Sequence, residues 1–475
     1  MLVDAPVLLA DAAATPAIRS DAESEASRSS AARAIDRLTL VIFWLLIMEG
    51  ALRKWVAPQF SHILFFVRDP FVLLVYWYAL RGGSFRKASP FLAIGLGFAA
   101  IAPFLALIQI ANVGDSRIGT VIAYGWRQYF LYLPLPFVIA RNMSEKSLWR
   151  FARHVFVAVI LTAPLMADQF HSPAGAVINR GTAEDVALQF KSFDLSGDHI
   201  RPSGFFTTNV GVANLVVVAL ALLLGAWLTP AARRQISMPM LLVTAAAIAS
   251  CLALSGSRGA FAAIGLIMLS SLLAGLLVND AGTRVRALLV PALLVGGGVV
   301  LYPILFPDAF QAMLDRVTSA NTFGSDGGYG ILGRALYETV DFVGLMGHAP
   351  LAGYGLGLGG NGRTFLGDQG DILLQNVYAE SDWTRHIVDL GPLLGALFIL
   401  YRILLTIDLF RRAVGATTRA RDPLPILLFG YVGIGVFYGQ LTGHGTVGGF
   451  LWIFLGITLA SCRIALERSE PTPAD

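Results

Sequence analysis

The sequence predicts an all-α polytopic membrane protein, and three observations carry that expectation. Hydrophobic residues make up 56% of the 475 and charged residues only 14%, against roughly 25% charged in a soluble domain; mean hydropathy is +0.67. About twelve stretches approach the ~20 apolar residues that cross a hydrocarbon core. The basic residues fall in alternate loops, as expected of cytoplasmic segments.

In chain order, residues 1–36 are rich in Ala, Ser, Asp and Glu and lack the regions of a signal peptide, so they read as a disordered cytoplasmic tail. A membrane domain over 37–466 follows, then a second short tail at 467–475. The expected spans lie near 38–52, 62–80, 90–111, 118–140, 151–170, 205–228, 238–254, 259–278, 287–306, 383–408, 425–442 and 445–462. With the N-terminus inside, the basic clusters Arg81/Arg86/Lys87, Arg141/Lys146/Arg150/Arg153, Arg233/Arg234, Arg284/Arg286, Arg411/Arg412/Arg419/Arg421 and Arg463/Arg468 all share its side. An even number of spans with both termini cytoplasmic satisfies this alternation. The net charge of +4 is modest and gives no reason to invoke nucleic acid. Cys251 and Cys462 fall near opposite helix ends, too far apart for a disulfide, and no Cys/His cluster suggests a metal or other cofactor.

Two loops, 171–204 and 307–382, are long and extracytoplasmic on this topology, and long loops are usually functional or disordered. In "ILGRALYETVDFVGLMG" (331–347), Leu332, Ala335, Leu336, Thr339, Val340 and Val343 form one face opposite Arg334, Glu338 and Asp341, the period of a short amphipathic helix. "GYGLGLGGNG" (353–362) does not follow a predicted strand, which argues against a dinucleotide fingerprint. It reads as a mobile lid or closely packed backbone, with a plain loop as the competing reading.

Ionisable residues in or beside spans cost about 2.5–3.5 kcal/mol at the centre on insertion scales and therefore mark functional candidates. Glu49, Arg53 and Lys54 end the first span, Arg68 and Asp69 interrupt the second, and Arg127 lies in the fourth; the last three read as a buried structural network. Arg201 and Arg258 stand at outer mouths, where their planar guanidiniums suit a phosphate and Gly204, Gly256 and Gly259 allow close backbone approach. The alternative is two arginines snorkelling to headgroups. In "AESDWTRHIVDLG" (379–391), a helix starting near Ser381 stacks Asp382 on His386 and Arg385 on Asp389 at i,i+4 spacing. A carboxylate orienting an imidazole builds a general base, and the competing reading is an ordinary helix start with an anchoring arginine.

"RPSGFFTTNVGVANL", "LALSGSRGAFAAI" and "ESDWTRHIVDLGPLLGALF" resemble, in order and spacing, signature stretches of the O-antigen ligase and Wzy-type polysaccharide polymerase superfamily, and "EGALRKWVAPQFSHILFFVRDP" (49–70) resembles a stretch of uncharacterised members. The resemblance spans roughly residues 40–462. It implies a metal-independent, inverting glycosyltransferase of the bacterial inner membrane, with its active site facing the periplasm. The implied donor is a glycan on undecaprenyl diphosphate; the acceptor is a sugar hydroxyl of another lipid-linked repeat in a polymerase, or lipid A-core in a ligase. It further implies that Arg201, Arg258 and Arg385 hold the diphosphate and that His386, Glu380 or Asp382 activates the acceptor. A chain-length regulator and polysaccharide export proteins are the implied partners.

The ligase pattern carries a histidine with an asparagine just after it, ahead of the helix that follows the large loop, whereas "QNVYAESDWTRH" has Asn376 and Glu380 first and His386 later, which favours a polymerase. The absence of Asp-x-Asp disfavours a nucleotide-sugar transferase. A transporter or flippase of about twelve spans shares the layout; it would carry internal repeats and midplane charges, whereas here the conspicuous charges cluster toward the outer face.

Overall fold

The computed structural model describes residues 16–85, 89–113, 117–181, 200–278, 280–322, 340–360 and 381–470. Among these the chain is helical, with no strand, and nine helices are long and apolar enough to span a membrane. The helices are α1 (Pro16–Ala51), α2 (Asp69–Arg81), α3 (Pro90–Val113), α4 (Ile118–Trp126), α5 (Leu135–Asn142), α6 (Glu145–His171), α7 (Asn209–Leu228), α8 (Met238–Ser255), α9 (Arg258–Leu277), α10 (Ala281–Leu305), α11 (Pro307–Thr322), α12 (Asp382–Ala420), α13 (Leu424–Phe437) and α14 (Gly445–Ser469).

Local chemistry marks the starts. Ser144, Ser257, Asp280 and Ser381 each accept a hydrogen bond from the backbone N–H three residues on, the N-cap arrangement. Pro70, Pro136, Pro239 and Pro425 fall in first turns, where a missing N–H costs nothing.

Helices α7 and α14 form the centre: their most apolar stretches are 78% buried, against 6% for α10 at the periphery. α14 packs on α5, α12 and α13, and α7 on α8, α9 and α13. Leu288, Leu293, Val299 and Leu305 of α10, and Phe104 and Leu107 of α3, are exposed apolar side chains of the kind a hydrocarbon surround accepts.

Three expectations differ from the structure. The tail was expected to be disordered through residue 36, yet α1 is continuous from Pro16, and Ala31 and Ile35 are buried because one helical stripe continues into the bundle. The fourth expected span, 118–140, is interrupted by a π-helical turn, Arg127–Leu131, before α5 begins. Another π turn, Leu52–Val56, the first along the chain, ends α1. By admitting an extra residue, such turns re-aim neighbouring side chains, and the adjacent Arg53 and Lys54 are both buried here, at 4% and 1% exposure.

The tenth expected span is two helices. Gly391 has φ +79° and ψ 170°, and Pro392 follows, so the first segment, 382–390, turns back along the second. In a straight helix residues 382 and 402 would lie about 30 Å apart along the axis, whereas their side chains meet at 2.8 Å.

The glycine-rich stretch resolves to closely packed backbone over its described part, 353–360. A Cβ on Gly357 would lie 2.8 Å from the Gly125 Cα of α4. Gln109 of α3 donates to the carbonyls of Ala352 (2.6 Å) and Asp389 (2.8 Å) and accepts from Leu356 N (2.9 Å). Of the expected amphipathic helix, residues 340–346 are helical and 331–339 lie outside the described residues.

Candidate functional site

Two ionic networks occupy one end of the bundle. The first is built on the turned-back segment of α12. Ser381 caps that segment, and the turn at Gly391 brings Arg402, from the second half of α12, against its side chains. Arg402 is wholly buried and spends its donors on Asp382 Oδ2 (2.8 Å), His386 Nε2 (2.8 Å), and the carbonyls of Val436 (2.8 Å), Gly435 (3.3 Å) and Gly439 (2.6 Å). Asp382 also accepts from Thr442 N (3.1 Å), Thr442 Oγ1 (3.3 Å) and Gly443 N (3.0 Å), and Arg385 lies 3.5 Å away.

Bond direction follows from the donor inventory. Guanidinium has no acceptor, so His386 Nε2 accepts and its proton sits on Nδ1. That proton faces Tyr129 Oη at 2.8 Å, and the Tyr129 hydroxyl donates to Asp389 Oδ2 at 3.0 Å. Asp389 Oδ1 accepts from Gly359 N (2.7 Å), while Arg385 Nε donates to Gly359 O (2.8 Å). The i,i+4 pairs expected from sequence are therefore realised through third parties: Asp382 and His386 through Arg402, Arg385 and Asp389 through Gly359.

The second network surrounds the π turn that ends α1. Glu49 pairs with Arg53 (3.2 Å) and Arg68 (3.1 Å), and Arg53 donates to Ser61 Oγ (2.9 Å). Arg127 forks onto Asp69 (2.5 and 2.8 Å), which also accepts from Tyr132 (2.8 Å), with the guanidinium 4.8 Å from the ring centroids of both Phe65 and Phe66. Oppositely charged, hydrogen-bonded partners of this kind are what make buried charge tolerable.

The networks meet at the Thr442–Gly445 turn leading into α14. Asp382 holds the amides of Thr442 and Gly443, and Arg68 reaches Gly445 O (3.4 and 3.5 Å). The second π turn bridges them too, with Arg127 in one network and Tyr129 in the other. At this junction Arg385 and His444 are partly exposed. His444 Nδ1 accepts from Val447 N (3.4 Å). Burial, with Arg385 and Arg68 close by, holds its imidazole below the ordinary range, so the ring is neutral at pH 7.

Asp382, Arg385 and His386 thus share one network. Arg201 is half-buried beside a strap tied to the second: Lys54 Nζ donates to Ser203 Oγ (3.0 Å) and Gly204 O (2.9 Å), and Gln169 brackets the Gly204 peptide (2.8 and 3.3 Å). Arg258 is exposed in the first turn of α9, outside both networks. Glu380 lies outside the described residues.

Sequence reasoning missed Arg402, Tyr129, Gln109 and His444. A lone arginine in the apolar run 391–408 was a signal for Arg402, and "LTGHGT" (441–446), a polar break between two apolar runs, was one for His444. No cluster of His, Cys, Asp and Glu with metal-holding geometry occurs among the described residues. Among the described residues, fold and site together define an all-helical protein with nine helices long and apolar enough to span a membrane and a buried ionic centre at one end. No family model matches the chain, and no curated protein matches it.

Proposed function

We propose that the protein is a polysaccharide polymerase of the inner membrane, which transfers a glycan from undecaprenyl diphosphate to a sugar hydroxyl of another lipid-linked repeat unit at the periplasmic face. The observation that carries this reading is the convergence of two rigid, charge-rich networks on one polar turn at an end of an apolar bundle. Fixed cations there suit a ligand with a charged head and a lipid tail, and their preorganisation suits a diphosphate leaving group. The resemblance of the motifs at 201–215, 252–264 and 380–398 to the ligase and polymerase superfamily supports the same reading.

Arg385, Arg201 and Arg258 are the proposed contacts to the diphosphate. Acceptor activation requires a basic group within hydrogen-bond reach of the hydroxyl. Both nitrogens of His386 are engaged and Asp382 is saturated with donors. The proposed base is therefore Glu380, with Asp382 and His386 holding Arg402 and the polar turn in place.

The test is the glycan profile of a deletion strain complemented with wild type, Arg385→Ala, Arg258→Ala, Glu380→Gln or His386→Ala, at matched membrane levels. Loss of polymer with accumulation of single lipid-linked repeats is expected. Polymer that forms on the carrier lipid but never reaches lipid A would instead identify a ligase, and normal glycans throughout would return the reading to a transporter or flippase.

A further inference from the structure

The junction turn carries a partly exposed histidine that neither the motifs nor the roles assigned above use. His444 caps α14 through Nδ1, which accepts from Val447 N. In the neutral ring an accepting Nδ1 places the proton on Nε2. Among the described residues Nε2 makes no hydrogen bond, and the residue is partly exposed, which leaves this edge of the ring for a ligand. The turn that carries it cannot drift: Asp382 grips the amides of Thr442 and Gly443 on one side, and Arg68 reaches Gly445 O on the other. A Cβ on Gly445 would lie 3.0 Å from the Phe65 ring and 3.4 Å from Gln128 Nε2. Arg385 packs against Gly443 and stays partly exposed at 14% of its side chain.

We infer that His444 is a substrate-contacting hydrogen-bond donor, presenting Nε2–H from the turn against which Arg385 packs to an anionic oxygen of a phosphate or diphosphate group. It serves as a donor rather than as the acceptor-activating base, because its one basic nitrogen already faces the backbone of α14. A neutral donor on a turn that a partly exposed guanidinium packs against recognises the directional oxygen of a phosphate without adding charge of its own. The inference deepens the proposed function and rests on it for the identity of the ligand, although binding is measurable without turnover. The same chemistry occurs in a polyprenyl diphosphate and in the headgroup of an anionic phospholipid.

Full-length protein in nanodiscs of zwitterionic lipid would be titrated with undecaprenyl diphosphate, and separately with phosphatidylglycerol. His444→Ala is expected to weaken undecaprenyl diphosphate binding at least tenfold. His444→Gln, whose amide can still donate, should recover part of the loss, and phosphatidylglycerol should bind weakly and be indifferent to both variants. If phosphatidylglycerol shows the His444-dependent binding instead, the site takes a bilayer lipid and the assignment to substrate is overturned. Equal affinity for undecaprenyl diphosphate in wild type and in folded His444→Ala protein, with only thermal stability reduced, would reduce the residue to a helix cap and overturn the inference. Tight His444-dependent binding in a strain with normal glycans would sink the polymerase reading while leaving the phosphate contact standing.

Discussion

The Arg402 side chain shows how one buried charge can organise a site from within an apolar span. Its five bonds tie α12 to α13 and hold both Asp382 and His386, so removing it leaves the buried Asp382 carboxylate with only the longer contact to Arg385 (3.5 Å) as counter-charge. Breaking a buried pair in this way typically costs about 3–5 kcal/mol. Arg402→Met is therefore expected to lower the thermal midpoint of the detergent-solubilised protein sharply, and Arg402→Lys to rescue little, since an ammonium cannot fork to five acceptors. Asp382→Asn combined with Arg402→Met should destabilise by less than the sum of the two single changes; strict additivity in a thermal-melt cycle would show that the pair is not coupled. Tyr129→Phe removes the donor to Asp389, and a loss of about 1–3 kcal/mol is expected from the unsatisfied carboxylate. Much of this was half-legible. The composition of "ESDWTRHIVDLG" marked Asp382, Arg385 and His386 as a group, because ionisable residues beside an apolar run stand out. Their partners did not stand out, since Tyr129, Gln109 and Arg402 lie hundreds of residues away or beyond a kink.

At the level of elements, the turn at Gly391–Pro392 and the two π turns do what regular helices cannot. The turn folds 382–390 back so that a single helix supplies both sides of an ion pair, and the backbone there has a positive φ that a side chain resists. A Cβ at Gly391 would also meet the carbonyl of Leu351 on the packed glycine-rich stretch. Gly391→Ala is accordingly expected to cost at least about 1–2 kcal/mol from the left-handed backbone alone, read as a lower melting midpoint. Pro392→Ala, which leaves φ at residue 391 free to stay positive, should be nearly neutral; equal damage from both would show that the proline sets the turn. The Gly391–Pro392 pair was visible in the sequence as a helix breaker, but the direction in which the chain turns was not. That direction depends on Gln109 and Tyr129, which hold the returned segment against α3 and the second π turn.

For the molecule as a whole, the apolar spans and their basic loops give an expected orientation, while the packing decides what lies inside. Arg233 and Arg468 share Asp422 and Glu145 at the end of the bundle opposite the candidate site. On the orientation expected from the basic loops, single cysteines at positions 258 and 444 should react with a membrane-impermeant maleimide added outside intact spheroplasts, and one at position 234 only after permeabilisation. Cys251 and Cys462 are buried and should contribute little background. Labelling of position 234 from outside would invert the topology and move the proposed site to the cytoplasm. By itself the sequence determined the class of protein, the approximate position of most spans and the residues able to carry charge chemistry, because solvation by hydrocarbon acts on local composition. Only the tertiary structure decided that His386 is saturated, that the glycine-rich stretch is packed backbone over its described part, and that His444 is partly exposed on a fixed turn. Those outcomes rest on which donor meets which acceptor across the bundle, a matter of long-range geometry that no local pattern encodes.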